Sequence, residues 1–458
     1  SFLVFSEIRK SIKKIKKNKK VFTNKYTHKT IKNFGFKLTL DQNKALNEIN
    51  FDLFSKSKMF RMIQGDVGSG KTIVALLSAL NVIESGYQVA FMAPTEILAN
   101  QHFQLAKKIF PKEIKINLLT SKTDRSNKKK IISDLSKFKI EMIFGTHSLF
   151  QRKTFFNKLG YIIIDEQHKF GVKQRKRLSD KGGKNCDVLV MSATPIPRTM
   201  VMTIFGDMDV SIIKEKPKNR KNIITYSKLE TKVDEVLSFI NKQILNKKQI
   251  FWVCPLIEES KKVEQKSSIE RYKFLEKKYK NKVGLVHGSL EKNKRNKVLQ
   301  DFLNRKIDIL VSTTVIEVGI DFPNANVIVI ENANKFGLSQ LHQLRGRVGR
   351  GSVQSYCILL FKSNLSENAK KRINILKNTN DGFKISEEDM KLRGYGDLLG
   401  FKQSGLQSFR LADPVINEDL FILAEKQTKK LEAENIDLDK YHSLLKLYDR
   451  ADILNDLA

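Results

Sequence analysis

The chain has 458 residues and a net charge of +35, because 84 Lys and Arg face 49 Asp and Glu. A positive field of this size suits a polyphosphate partner, although part of it reflects a Lys-rich composition and proves no partner by itself. No apolar run approaches the roughly 18 residues that a membrane span needs, so we expect no membrane partner. The three cysteines share no metal-ligand spacing, which argues against a zinc site or a disulfide framework and favours a reducing cytoplasm.

The first 37 residues form a strongly basic segment, with 12 Lys and Arg against one acid, Glu7. Two interpretations fit it equally well, a basic helix lying on phosphates or a solvated connector to a preceding domain. The first residue is Ser, so we expect the chain to begin inside a longer protein.

From residue 38 to 215, short apolar runs alternate with helical periodicity, which predicts a parallel sheet covered by helices. The polar segment 215–222 contains Pro and predicts a linker, and the same alternation continues through the second lobe, 216–372. Residues 373–458 show charged helical periodicity instead of strand patterns. The sequence thus predicts an α/β protein with two tandem parallel-sheet lobes and a mainly helical C-terminal region. The runs that predict strands are 60–64, 88–94, 141–145, 161–166 and 188–194, then 223–226, 249–255, 283–288, 308–314, 327–332 and 355–361.

Residues 65–72, with the sequence GDVGSGKT, match the phosphate-binding loop pattern between a predicted strand and a predicted helix. Glycines let backbone N–H groups surround phosphates, and the helix N-terminus adds its dipole. We expect Lys71 to contact the β- and γ-phosphates of ATP and the Thr72 hydroxyl to bind Mg²⁺. The loop residues expected to bind the nucleotide are Gly65, Gly68, Ser69, Gly70, Lys71 and Thr72.

Asp165 and Glu166 follow the apolar run 161–164, so both carboxylates should emerge where a parallel strand ends and ligands bind. Phosphoryl transfer needs one carboxylate for the metal and one for the attacking water. We assign Asp165 to Mg²⁺ and Glu166 to the water. A helix N-cap followed by an acid has the same pattern, and the phosphate loop upstream is what favours the catalytic interpretation.

Arg345, Arg347 and Arg350 lie among glycines in the second lobe. An arginine finger stabilises the charge that develops on the γ-phosphate during its transfer. We expect Arg347 and Arg350 to be such fingers, because the first lobe shows no other cation for this role. The alternative is a surface patch that binds nucleic-acid phosphates.

The order of these motifs along residues 36–350 resembles that of superfamily-two helicases, whose two lobes are RecA-like. Further matches are APTE at 93–96, GTH at 145–147, HG at 287–288 and TTVIEVGID at 313–321. The resemblance implies that Phe36 and Gln42 recognise the adenine and that ATP binds between the lobes. The residues that it assigns to nucleic-acid contacts are Thr95, Thr146, His147 and Thr314.

Longer segments are similar to the RecG family of branch-migrating DNA helicases. They read DEQHKFGV at 165–172, SATPIPRT at 192–199 and FGLSQLHQLRGRVGR at 336–350. Lys169 departs from the family, which has Arg there, and loses the bidentate fork of a guanidinium. The nearest alternative is a transcription-repair coupling factor, and Gln167-His168 favours RecG. An RNA helicase fits less well, because the carboxylate motif lacks Ala-Asp.

Residues 381–383 and 389–400, which lead into 403–405, resemble the helical-hairpin translocation motif that RecG shares with the coupling factor. The resemblance implies that Arg393 and Gln403 couple ATP hydrolysis to movement along DNA. Glycines at 394, 396 and 400 let such a segment bend. An ordinary helix-packing patch is the alternative for both residues.

The resemblance implies an ATP- and Mg²⁺-dependent translocase for duplex, forked or four-way DNA in the bacterial cytoplasm, active in repair and recombination. It also implies single-stranded DNA-binding protein as a further partner. The family's wedge domain has no counterpart in this sequence, so fork specificity is expected of the longer protein. From another class, a nucleic-acid clamp with an inactive ATP site is the alternative, which the intact Lys71 and Glu166 disfavour.

Overall fold

A computed structural model describes residues 14–35, 37–150, 154–165, 183–192, 195, 208–217, 220–255, 261–313, 322–349, 351, 353–393 and 417–434. These residues form two compact units. One comprises the described residues up to Lys216 together with Arg393 and 417–434, and the other is Pro217–Leu392. Each unit is built on one parallel sheet, which confirms the predicted fold class.

The first unit contains a seven-stranded sheet. Its strands are β1 (Phe60–Gly65), β2 (Gln88–Met92), β3 (Ile116–Leu119), β4 (Met142–Gly145), β5 (Leu159–Ile164), β6 (Asp187–Ser192) and β7 (Asp209–Ile213). They pair in parallel in the order β3-β4-β2-β5-β6-β1-β7. Because all strands run the same way, the loops that follow them open at one edge, and only β6 separates β1 from β5 there.

Helices cover both faces of this sheet. The described helices before β7 are α1 (Lys25–Phe34), α2 (Leu40–Phe54), α3 (Lys71–Glu84), α4 (Glu96–Ile109) and α5 (Arg125–Ser136). Along β1, Ile63 packs into one apolar core and Met62 into the core on the opposite face. Burial on both faces explains why the central strands read as continuous apolar runs rather than as an alternation.

The second unit contains a six-stranded parallel sheet in the order β10-β11-β9-β12-β13-β8. Its strands are β8 (Ile224–Leu229), β9 (Gln249–Val253), β10 (Val283–Val286), β11 (Ile309–Ser312), β12 (Ala325–Ile330) and β13 (Tyr356–Phe361), and its helices before β13 are α6 (Val233–Leu245), α7 (Lys261–Lys278), α8 (Lys292–Leu303) and α9 (Leu338–Arg345). Trp252, the one tryptophan of the chain, is fully buried in the central strand β9.

The described elements after β13 are the helices α10 (Glu367–Asn378), α11 (Gly382–Arg393) and α12 (Glu418–Ala433). Side chains cap the first two, since Ser366 Oγ accepts a hydrogen bond from Ala369 N and Asp381 Oδ1 accepts one from Phe383 N. This region is helical, as predicted. None of the described helices combines the length and the apolar composition that a membrane-spanning segment requires.

The structure adds two strands that the sequence analysis did not predict, β3 and β7. They are the two edge strands of the first sheet. Three of the four residues of β3 are only partly buried, and β7 begins with Asp209 and has Ile212 exposed. An edge strand is covered less completely than a central one, so these segments carry a weaker apolar signal.

The basic N-terminal segment is attached to the first unit through buried charges, which contradicts both sequence interpretations for Lys17 and Lys20. Lys17 Nζ lies 2.7 Å from both carboxylate oxygens of Asp187, and Lys20 Nζ lies 2.5 Å from Oδ2. All three side chains are excluded from solvent. Burial lowers the pKa of Lys17, and the Asp187 carboxylate opposes that shift. These lysines are therefore part of the packed interior rather than of a phosphate-binding surface.

Removing the central charge should destabilise the first unit strongly. We expect Asp187→Asn to lower its free energy of unfolding by about 3–5 kcal/mol, because two buried ammonium groups lose their counter-charge. Urea unfolding measures this change. Glu113→Gln, which breaks the solvent-exposed pair with Lys29, is the control and should leave the unfolding midpoint in place. Equal midpoints for both variants would contradict a structural role for Asp187.

Candidate ATP-binding and nucleic-acid site

The predicted phosphate loop lies between β1 and α3, at the edge where the strands of the first sheet end. Gly68 and Gly70 adopt left-handed backbone conformations, with φ of 77° and 89°. Only glycine takes these angles without steric strain. Ser69 N donates to Asp66 O at 3.1 Å, which tightens the turn in front of the helix. The sequence thus forms the compact loop that the GDVGSGKT pattern predicts.

Lys71, the first residue of α3, is buried and directed back onto the loop. Its Nζ donates to the carbonyl oxygens of Gly65 at 2.6 Å and of Asp66 at 2.9 Å. A triphosphate in the loop would offer the same ammonium group stronger, charged acceptors. Lys71 is therefore already held beside the position that the sequence assigns to the phosphates.

Gln42 links helix α2 to the phosphate loop. Together with Thr39 it forms a capping box, since Thr39 Oγ1 accepts from Gln42 N and Gln42 Oε1 accepts from Thr39 N. Its Nε2 donates to Ser69 O at 2.8 Å. The amide predicted to recognise adenine thus lies against the loop that is predicted to hold the phosphates. Phe36, its predicted partner, lies outside the described residues.

Asp165 follows β5 directly and is 8% exposed. Its N–H donates to Met92 O at 2.9 Å, which fixes the backbone at the end of the strand. Its Oδ2 lies 2.8 Å from Nε2 of His102, a contact that the sequence analysis missed. Sixty-three residues separate the two in the sequence, so no local pattern could have revealed the pair. Glu166 lies outside the described residues.

The donors at this edge fit Mg²⁺. Thr72 supplies a hydroxyl oxygen and Asp165 a carboxylate oxygen, the hard ligands that Mg²⁺ takes alongside water and substrate phosphates. Their loops follow β1 and β5, two strand spacings or about 10 Å apart at the sheet. The described residues hold no group of three or more His, Cys, Asp or Glu that could bind a metal ion. We expect nucleotide phosphates and water to supply the remaining ligands of the ion.

Two of the predicted nucleic-acid contacts follow neighbouring strands at the same edge. Thr95 comes after β2 and caps α4, where its Oγ1 accepts from Leu98 N at 3.3 Å. Thr146 comes after β4, and Ala93 N donates to Gly145 O between the two segments. His147 begins a short 3₁₀ helix, and its side chain is outside the description, as is the whole of Thr314. The first lobe therefore brings Thr95 and Thr146 to adjacent positions.

In the second unit, Arg345 and Arg347 differ in their surroundings. Arg345 is buried, and its guanidinium donates to the carbonyl oxygens of Leu376 at 2.6 Å and Thr379 at 2.9 Å, where α10 ends. Arg345 therefore holds α9 against α10. Arg347 is buried after α9, and Arg350 lies outside the described residues.

The segment predicted to move along DNA begins in α11. Asp389 on this helix is buried, and its Oδ2 accepts from Ser339 Oγ of α9 at 2.6 Å. The helix that precedes Arg347 is thus joined directly to the helix that ends at Arg393. The Arg393 side chain and the whole of Gln403 lie outside the description.

The end of the first lobe is attached to the phosphate loop, a second feature that the sequence analysis missed. Lys216 Nζ lies 2.6 Å from Asp66 Oδ2. Just before it, the N–H groups of Lys214 and Glu215 donate to Asp41 Oδ2 at 2.8 and 3.0 Å. The segment predicted to link the lobes therefore starts in contact with the loop and with the neighbour of Gln42.

Comparison with family models covers most of the chain in three parts. Residues 39–203 match the DEAD/DEAH box helicase model, and residues 212–352 match the helicase conserved C-terminal domain. Residues 379–442 match the model described as ATP-dependent DNA helicase RecG, domain 3, C-terminal.

Relatives with the name ATP-dependent DNA helicase RecG are similar over nearly the whole chain. The Thermotoga maritima protein is 45% identical over 448 residues, which is 97% of this chain and 57% of that protein. The Bacillus subtilis protein is 47% identical over 397 residues, 86% of this chain and 58% of that protein. The chain thus spans somewhat over half the length of these relatives.

Solved structures of helicases are also similar to this chain. A RecG structure bound to a three-way DNA junction is 44% identical and superposes with a TM-score of 0.77, covering 92% of this chain and 55% of that one. The Mycobacterium smegmatis helicase Lhr, at 18% identity and a TM-score of 0.58, shares the fold.

The close approach of Gln42 to Gly70 gives a test of the loop geometry. A Cβ at position 70 would overlap the Gln42 amide, whereas a Cβ at Gly86, which also has positive φ, would meet open space. We expect both Gly70→Ala and Gly86→Ala to lose about 1–2 kcal/mol of stability from the left-handed backbone. Only Gly70→Ala should also lose nucleotide binding, measured by titration with a fluorescent ATP analogue. Equal affinity in the two variants would contradict the described packing of Gln42 on the loop.

Proposed function

Because the chain belongs to the RecG family of helicases, we propose that it is an ATP-driven motor that moves along duplex DNA and remodels branched DNA. The observation that carries the proposal is the placement of the phosphate loop, with buried Lys71, and Asp165 at one edge of one sheet. The similar structure bound to a three-way junction supports branched DNA as the substrate class. We expect the substrates to be stalled replication forks and Holliday junctions, in repair and recombination.

The first lobe supplies the groups that bind and activate ATP. Lys71 neutralises the β- and γ-phosphates, and Gln42 recognises the base with Phe36. Thr72 and Asp165 hold Mg²⁺, which, when bound, neutralises charge on the phosphates. Glu166 orients and deprotonates the attacking water. The loop glycines, with Ser69, let backbone N–H groups reach the phosphate oxygens.

Arg347 and Arg350 of the second lobe stabilise the charge that develops on the γ-phosphate during its transfer. The contacts of Arg345 support this division of roles, because its guanidinium already serves the end of α10. Arg347 and Arg350 are the two arginines of the motif that we assign to the nucleotide.

Thr95, Thr146, His147 and Thr314 contact the DNA backbone. Phosphate contacts hold DNA without reading its sequence, as a motor that travels along any sequence requires. The net charge of +35 adds long-range attraction for the same polyanion. We expect a bacterial cytoplasm, in agreement with the bacterial relatives, and single-stranded DNA-binding protein as a further partner.

Arg393 and Gln403 convert the nucleotide cycle into movement. The hydrogen bond from Ser339 to Asp389 supports this role, because it joins the helix before Arg347 to the helix that ends at Arg393. A shift of one helix would therefore displace the other.

ATP hydrolysis measured with no DNA and with single-stranded, duplex and forked DNA tests the proposal. We expect duplex and forked DNA to stimulate turnover, and Lys71→Ala to abolish it by removing the cation on the phosphates. Glu166→Gln should still bind ATP and hydrolyse it slowly. A folded chain that hydrolyses no ATP with any DNA would be a clamp rather than a motor. Normal turnover by Lys71→Ala would reject the nucleotide site.

The two arginines of the motif should fail in different ways. We expect Arg347→Ala to lower turnover by about 10³-fold or more with little change in nucleotide affinity. Arg345→Ala should instead lower the melting temperature, because two backbone carbonyl groups at the end of α10 lose this donor and the one of Leu376 is buried. The rate of ATP hydrolysis and the melting temperature, measured for both variants, distinguish these results. Loss of DNA affinity alone in Arg347→Ala would indicate a DNA-binding patch.

A further inference from the structure

A buried histidine contacts the carboxylate proposed to bind Mg²⁺. His102 Nε2 lies 2.8 Å from Asp165 Oδ2, and the two side chains are 9% and 12% exposed. A carboxylate can only accept a hydrogen bond, so Nε2 is the protonated ring nitrogen in this contact. His102 thus occupies one carboxylate oxygen and fixes the direction of the other.

The location of His102 on its helix is unusual for a polar residue. The buried residues of α4 are Leu98, Ala99, His102, Ala106 and Ile109, a helical stripe that faces the core. The imidazole is the one polar side chain of this stripe, and its ring centroid lies 4.7 Å from that of Phe91. A histidine in an apolar stripe often makes a hydrogen bond to the nearest acceptor without any functional role. Here the acceptor is the carboxylate on which the proposed chemistry depends.

The same helix begins at a proposed DNA contact. Thr95 caps α4 and precedes His102 by seven residues, which is about two helical turns or 10 Å along the axis. Residues at this spacing lie on the same side of a helix. Any displacement of the start of α4 by a DNA phosphate would therefore carry the His102 ring with it, against the fixed backbone of Asp165.

We propose that His102 is a positioning residue that orients Asp165 for Mg²⁺, and that α4 transmits DNA contact at Thr95 to this carboxylate. The inference rests on the proposed function and supplies a route by which DNA stimulates hydrolysis. Groups that hydrogen-bond a metal ligand set its orientation, and their loss typically weakens metal binding by about 10–100-fold. This role requires no contact of His102 with the nucleotide or with the metal.

Three substitutions at this position distinguish the effect of the hydrogen bond to Asp165 from the effects of side-chain polarity and of packing. His102→Gln places an amide nitrogen close to the position of Nε2 and can still donate to Asp165. His102→Asn is also polar, but the side chain is too short for its amide nitrogen to reach Asp165. His102→Leu fills the apolar stripe without any donor. Thermal melting of each variant identifies any loss of the fold, and the Gln and Asn variants decide the outcome if the Leu variant does not fold.

The first measurement does not depend on turnover. In the full chain, Mg²⁺ is titrated against binding of a fluorescent, non-hydrolysable ATP analogue. We expect the Asn and Leu variants to need about 10–100-fold more Mg²⁺ for half-maximal binding, and the Gln variant to stay near the unmodified protein. The second measurement is the ratio of ATP turnover with and without duplex DNA, which should fall about fivefold or more in the Asn and Leu variants.

The outcomes separate this inference from the proposed function. If the Asn and Leu variants match the unmodified chain in both measurements, His102 is an ordinary core residue while the motor function stands. An altered Mg²⁺ requirement with an unchanged DNA ratio would reject transmission through α4. If the unmodified chain shows neither Mg²⁺-dependent nucleotide binding nor DNA-stimulated turnover, the proposed function is wrong and the inference is wrong with it.

Discussion

Parallel pairing of every strand is the constraint on which the rest of the first lobe depends. It brings the loops after β1, β2, β4 and β5 to one edge of the sheet, although up to a hundred residues separate them. Parallel strands need helical crossovers, which bury both faces and make the sheet a rigid support. Side chains at such an edge have well-defined positions because the sheet beneath them is rigid. Lys71, Asp165 and Thr95 each sit within three residues of a strand or helix end, so their backbones are fixed by the sheet or its helices.

The same edge is also stabilised by hydrogen bonds that the proposed functional residues make. Gln42 donates to the phosphate loop, Lys71 donates to two loop carbonyl groups, and His102 holds Asp165. Each contact involves a group to which we assign a role in ATP binding: Gln42 at the base, Lys71 at the phosphates and Asp165 at Mg²⁺. Nucleotide binding must therefore exchange hydrogen bonds rather than only add them, which limits the net gain in free energy from each one. The pair between Lys216 and Asp66 joins the phosphate loop to the segment where the first lobe ends.

The sequence predicted the central strands and the phosphate loop well, because both are local patterns. Buried strands such as β1 and β5 are continuous apolar runs, and GDVGSGKT needs its glycines for backbone reasons that are local to the loop. The edge strands β3 and β7 escaped prediction because incomplete burial weakens their apolar pattern. The pairs of Asp187 with Lys17 and of Asp165 with His102 join residues 170 and 63 positions apart, and only the folded chain brings them together. The roles assigned to Glu166, Arg350 and Gln403 stay predictions from sequence, since these residues lie outside the described part.

The most direct test of the account is a structure determined with Mg²⁺, a non-hydrolysable ATP analogue and duplex DNA. We expect Lys71 Nζ to leave the carbonyl oxygens of Gly65 and Asp66 for the β- and γ-phosphates. We also expect Thr72 and Asp165 to face one Mg²⁺ ion while His102 stays on Oδ2 of the carboxylate. A nucleotide bound away from the loop, or a Lys71 that keeps both carbonyl contacts with the nucleotide in place, would contradict the proposed site.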